Sequence, residues 1–115
     1  MKTSSLLYPL ATLLMVWLAG CATQSSPRAG FSVLVFSKTL MYRHASITNG
    51  IAAIQKLGME NGFFVEATED ASWFTSTNLA RYKAVVFLST SGDILNDEQQ
   101  SAFQEFLEGG GGLVG

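Results

Sequence analysis

Residues 41–50 read MYRHASITNG and hold the only histidine of the chain, His44, beside Arg43 and just ahead of a helix start at Ser46. A histidine can take or give a proton, and an arginine donates hydrogen bonds to oxygen atoms. A helix start adds amide N–H groups that lack intrahelical partners and sit at the positive end of the helix dipole. Together these groups suit a pocket for an anion or an electron-rich oxygen. Further candidates are Glu69 and Asp70 in TED, and Ser91, Gly92 and Asp93 in STSGDIL. Each has a plainer reading: Arg43 as a solvated loop residue, His44 as a donor to a loop carbonyl, Asp93 after Gly92 as a turn residue. Glu69 and Asp70 are neighbours in the chain, so on most backbones they point apart and no catalytic carboxylate pair is indicated.

Several chemistries are excluded by what the chain contains. One histidine and one cysteine, Cys21, cannot supply the three or four ligands of a zinc site, so no metal site is expected. Cys21 has no partner for an intrachain disulfide, and its place in a leader segment excludes thiol catalysis by these residues. The glycine run Gly109 to Gly112 precedes a strand instead of following one, which makes it a helix stop and not a dinucleotide fingerprint. The residues specify no cofactor and no oligomeric state.

The candidate residues can meet only if the elements around them place them on one edge. FSVLVFS (31–37) is apolar on both faces, with Val33 and Val35 on one side and Leu34 and Phe36 on the other, as a central parallel strand is. Ser46 can cap a helix whose apolar stripe is Ile47, Ile51, Ile54 and Leu57, with Gly58 and the Asn61-Gly62 pair ending it. FFVEAT (63–68) reads as a second strand, EDASWFTSTNLARY (69–82) as a polar connection with at most a short helix near Leu79, and AVVFLST (84–90) as a third strand. Asn96 or Asp97 caps the next helix, which buries Ala102, Phe103, Phe106 and Leu107, and Leu113–Gly115 begins a fourth strand. Right-handed crossovers turn that order into an open parallel α/β sheet with helices on both faces. A doubly wound sheet normally has five or more strands, so residues 31–115 are expected to be the first half of a larger domain. In such a sheet the segments leaving the strands' carboxyl ends share one edge, where ligands bind. Arg43, His44, Glu69, Asp70 and Asp93 all belong to that edge.

The chain has 115 residues, 48% of them hydrophobic and 14% charged, but much of the apolar content is at the N-terminus. There, Lys2 is followed by an apolar run, Leu6 to Leu18, too short for a comfortable membrane span. Leu18-Ala19-Gly20-Cys21 resembles the lipobox of bacterial lipoproteins, in which the cysteine is acylated and the chain cut before it. Residues 1–20 are thus expected to be a lipoprotein signal peptide, Cys21 the acylation site, and residues 21–30 a flexible tether. Without residues 1–20 the chain keeps 6 basic and 9 acidic residues, a net charge of −3 that points to no nucleic-acid partner. Ala22 after Cys21, in place of Asp, resembles anchors sorted to the outer membrane of double-membraned bacteria, so the expected location is the cell envelope on its extracytoplasmic side.

YRHASI (42–47), TED (68–70), STSGDIL (89–95) and EQQSAFQEFLEGGGGLVG (98–115), in this order and spacing, resemble the trehalose-utilisation, or ThuA-like, family. The resemblance runs from about Phe31 to the end of the chain. It implies a flavodoxin-like sheet related to the class I glutamine amidotransferase fold. Members generally lack the amidotransferase cysteine, so glutaminase chemistry is not implied. The resemblance instead implies a carbohydrate ligand, a trehalose-like glycoside or keto-sugar, with Arg43 donating to its hydroxyls and His44 catalytic as an acid, base or metal-adjacent residue. Ser91, Gly92 and Asp93 match the family loop that holds an oxygen. The alternative is a non-catalytic scaffold or partner-binding module on the same fold. These residues alone, without the rest of such a domain, are expected to be inactive.

Overall fold

A computed structural model describes residues 30–115. Residues 1–29, on which the expected signal peptide, acylation site and most of the expected tether fall, lie outside the described residues. The chain forms β1 (Ser32–Phe36), α1 (Ser46–Asn61), β2 (Phe64–Thr68), a single 3-10 turn (Ala71–Trp73), α2 (Ser76–Leu79), β3 (Ala84–Phe87), α3 (Asp97–Glu108) and β4 (Gly112–Val114). The four strands are parallel in the order β2-β1-β3-β4. β1 is central, with Val33 to Phe36 all buried, as its apolar residues on both faces require.

Register assigns each face its cover. Val33 is aligned with Val65 and Ala84, so these residues share a face, while Leu34 shares the other with Glu66 and Val85. α1 lies on the Val33 face, where Gly58 comes so close that a Cβ would stand 2.9 Å from Cγ2 of Val65. α2 and α3 lie on the opposite face, over a core of Leu34, Phe36, Phe74, Leu79, Val85 and Ala102. The chain leaves β1 toward β2, then crosses back over β1 to β3. Right-handed crossovers in those two directions put helices on opposite faces. This is the open parallel α/β sheet expected from the pattern, in the flavodoxin-like arrangement that the family resemblance implies.

Three local expectations are corrected. Ser46 does not cap α1: Ala45 holds the cap position, with φ −61° and no side-chain hydrogen bond, and Ser46 is the first helical residue. Gly58 does not end α1, which runs on to Asn61 and stops at Gly62, whose φ of 76° lets its N–H reach the Gly58 carbonyl at 2.8 Å. Gly58 is instead a contact point, since a Cβ there would also meet the Phe63 carbonyl at 2.6 Å. The helix therefore packs through Gly58 at its far end, and Leu57, expected in the buried stripe, is 50% exposed. β3 ends at Phe87, short of Thr90, because the chain turns at Ser89 with φ 51°. α3 follows its expectation at the cap, but of the four residues expected to be buried only Ala102 is, with Phe103, Phe106 and Leu107 half-buried. Asn96 accepts from the Gln99 amide at 2.8 Å and Gln99 returns the bond at 3.0 Å, a capping box.

The connection 69–82 carries more of the core than its polar composition implies. Ala71, Phe74, Leu79 and Tyr82 are buried, and Phe74 packs against Phe36, Phe87 and Phe103. Asp70 starts the 3-10 turn by accepting from Ser72 N, and Thr75 starts α2 by accepting from Asn78 N. Behind them, Glu66 on β2 accepts hydrogen bonds from the Tyr82 hydroxyl and from Nη2 of Arg81, whose guanidinium lies 5.2 Å over the Tyr82 ring. Among the described residues no helix is long and apolar enough to cross a membrane.

Candidate functional site

The direction of winding reverses between β1 and β3, so a crevice opens at their carboxyl ends. The loops leaving those two strands are tied together beyond the sheet. Thr39 and Ser91 form a parallel bridge, and Leu40 N donates to the Ser91 carbonyl at 2.9 Å. That bridge fixes the segment carrying Arg43 and His44 relative to the segment carrying Ser91, Gly92 and Asp93. Gly92 has φ 85°, and a Cβ there would stand 3.0 Å from Cβ of Leu40, so glycine allows the two loops to pass. Its geometry accounts for the residue without a ligand.

The third loop joins through charge. Nε of Arg43 donates to Oε1 of Glu69 at 2.8 Å, linking the loop after β1 to the end of β2, and both side chains are about half exposed, at 46% and 48%. Asp70 turns away to the 3-10 turn, where the Ser72 backbone N–H holds its carboxyl below the usual carboxylate range. The two neighbouring carboxylates thus have separate partners, as their adjacency implied. His44 is exposed, with its ring edge-on to Tyr42, centroids 4.9 Å apart and planes at 83°. Asp93 is exposed on the loop after β3.

Two hydroxyls on this edge are buried without a hydrogen-bond partner among the described residues, those of Ser37 and Ser91. Ser37 is completely buried and directly follows β1. An unsatisfied buried hydroxyl costs on the order of 1–3 kcal/mol, so both mark places under this edge where a polar partner is lacking. The first turn of α1 contains no acidic residue and no side-chain cap, leaving its amides on the same edge. Among the described residues no three His, Cys, Asp or Glu side chains stand together as a metal-ligand set.

The edge therefore gathers Arg43, His44, Glu69, Ser91, Gly92 and Asp93, and adds two residues that sequence reasoning did not assign, Ser37 and Tyr42. The signal for Ser37 was a small polar residue ending an otherwise apolar strand. Tyr42 had none beyond its place in YRHA. A hollow of about 410 Å³ lies elsewhere, at the strands' amino ends, lined by Ser76, Tyr82, Lys83, Glu105 and Phe106. It contains none of the residues above, and its walls are those of the α2–α3 contact.

Parallel winding, a reversal at β1 and β3 and a polar rim on the outgoing loops define a flavodoxin-like α/β protein with its ligand edge at the strands' carboxyl ends. The family model described as ThuA, trehalose utilisation, matches residues 32–115, and the chain belongs to that family. A crystal structure of a ThuA-like protein from Bacteroides uniformis ATCC 8492 superposes with a TM-score of 0.59 at 23% identity, over 72% of this chain and 34% of that one. At that identity the likeness establishes the fold, and the chain spans about a third of that structure's length. No curated protein matches the chain.

Proposed function

We propose that this chain belongs to a lipid-anchored, extracytoplasmic protein that binds or processes a carbohydrate, a trehalose-like glycoside or a keto-sugar, at the carboxyl edge of its sheet. Arg43 donates to sugar hydroxyls, His44 acts as acid or base, and Ser91, Asp93 and the amides near Gly92 hold a further oxygen. The observation that supports this most is the hydrogen-bonding capacity of the loops at the switch point, which carry the half-exposed Arg43–Glu69 pair and Ser91 and are tied together by the Leu40–Ser91 hydrogen bond. Sugars are recognised by such groups, each hydroxyl both donating and accepting. The family's association with trehalose utilisation supports the same ligand class. A second reading, a partner-binding module without chemistry, is favoured by one observation: among the described residues no carboxylate hydrogen-bonds to the His44 ring to orient it.

Calorimetric titration of the full-length protein to which this chain belongs, with a panel of disaccharides and oxidised sugars, separates the two. Heat is expected with at least one sugar. Arg43→Ala should weaken that binding by about tenfold or more, because hydrogen bonds to charged groups contribute roughly 1.5–3 kcal/mol. Both Arg43→Ala and His44→Ala replace exposed loop residues and should shift stability by no more than about 0.5 kcal/mol. No heat with any sugar, with His44→Ala indistinguishable from the parent, would establish the module instead.

The anchor is tested independently at Cys21. Cys21→Ala should leave an uncleaved precursor that takes up no labelled fatty acid. Equal labelling of parent and variant would remove the lipoprotein assignment, and co-fractionation with inner-membrane markers would remove the outer-membrane one.

A further inference from the structure

Arg43 and Glu69 face the ligand edge as a pair, and the pair has a chemistry that neither residue has alone. Nε of Arg43 is committed to Oε1 of Glu69. Among the described residues the four N–H groups on Nη1 and Nη2 and the second Glu69 oxygen make no hydrogen bond. The pair is electrically neutral, and it sets fixed donors beside a fixed acceptor at the meeting of two loops. We infer that the Arg43–Glu69 pair makes this edge selective for neutral sugars with adjacent hydroxyls over sugars that carry a carboxylate or phosphate. This rests on the carbohydrate reading above and narrows its substrate class.

The selection follows from proton inventory and sign. Of two adjacent hydroxyls, one accepts from Arg43 while the other donates to Glu69, so both protein groups are satisfied at once. A carboxylate or phosphate oxygen accepts from Arg43 equally well but has no proton for Glu69 and meets it as a like charge. An arginine fork without Glu69 would favour the anion through bidentate bonding. The rest of the edge has the same bias, since Lys38 and Arg43 stand against Glu69, Asp70 and Asp93, one negative charge in excess. Tyr42, 69% exposed next to Arg43, adds an apolar ring face of the kind on which the C–H face of a neutral pyranose rests.

The test compares one neutral disaccharide that binds the full-length protein with its uronic-acid counterpart, in the parent and in Glu69→Gln. Glutamine keeps the size of the side chain and an acceptor oxygen while removing the charge. The parent should bind the neutral sugar about tenfold or more tighter, and Glu69→Gln should shift that ratio toward the uronic acid by about tenfold. Arg43→Lys, which keeps the charge but loses the fork, should weaken the neutral sugar at an unchanged melting temperature. Equal or tighter binding of the uronic acid by the parent, or a ratio untouched by Glu69→Gln, would overturn the inference while leaving the carbohydrate reading intact. Absence of binding by either sugar across the panel overturns both.

Discussion

Replacing Phe74 with alanine should lower the unfolding free energy by about 3–5 kcal/mol, a large share of the roughly 5–15 kcal/mol a domain commonly has. Phe74 is 2% exposed, and its ring centroid lies 4.6 Å from Phe36, 5.7 Å from Phe103 and 6.0 Å from Phe87. Its removal opens a cavity where β1, β3 and α3 meet, and these rigid elements cannot all close on it. Urea denaturation of the full chain, followed by tryptophan fluorescence, measures the loss. Phe64→Ala is the comparison, because Phe64 lies on the edge strand and is 66% exposed. A Phe74 loss no larger than that of Phe64 would mean that the connection 69–82 is not part of the core.

Stability should also fall steeply at alkaline pH because of one residue. Burial, reinforced by the hydrogen bond and the negative charge of Glu66, pushes the Tyr82 hydroxyl up to about 12 from its ordinary 10. The unfolded chain releases this proton near pH 10, whereas the folded chain keeps it until about pH 12. Between those values the native state binds more protons, so stability declines as pH rises, and the contribution is fully present below pH 10. The whole decline is at most about 2–3 kcal/mol, and solvent reaching the hydroxyl screens it below that. Tyr82→Phe removes the titrating group, and its denaturation midpoint should be flatter across that window. A parent and a variant that lose stability in parallel from pH 10 to 12 would assign the decline to other groups.

How far these features could be read from the sequence depends on whether they are local. The succession of elements and the α3 cap were legible because SVLVF and AVVF are apolar on both faces and because Asn96 and Gln99 stand at capping-box spacing. Ala45 replaced Ser46 at the start of α1 because neighbouring positions cannot be told apart without backbone angles. Gly58 misled because a glycine can mark a helix end or a close approach, and only the position of Val65 decides which. The connection 69–82 hid its core because Ala71, Phe74, Leu79 and Tyr82 fit neither strand nor helix period, the backbone passing from a 3-10 turn to an α-turn within it. At the site, chain order alone put Arg43 and Glu69 on one edge. That Arg43 bonds Glu69, and not Asp70 beside it, depends on the register of β1 against β2, which no local pattern encodes.

The position of β1 also bears on how the domain forms. β1 is the first strand made, yet its alignment partners, Phe64 onward in β2 and Ala84 onward in β3, arrive only after long intervening segments. No hairpin can shelter it in the meantime, since all its pairings are parallel and distant in sequence. Folding dominated by such distant pairings is slow, because loop closure must be completed before the contacts that reward it. Until residue 68 is available Val33-Leu34-Val35-Phe36 is an unpaired apolar strand, and until residue 87 one of its edges stays open, the kind of segment that associates between chains. Refolding should therefore be concentration-sensitive, with yield rising on dilution.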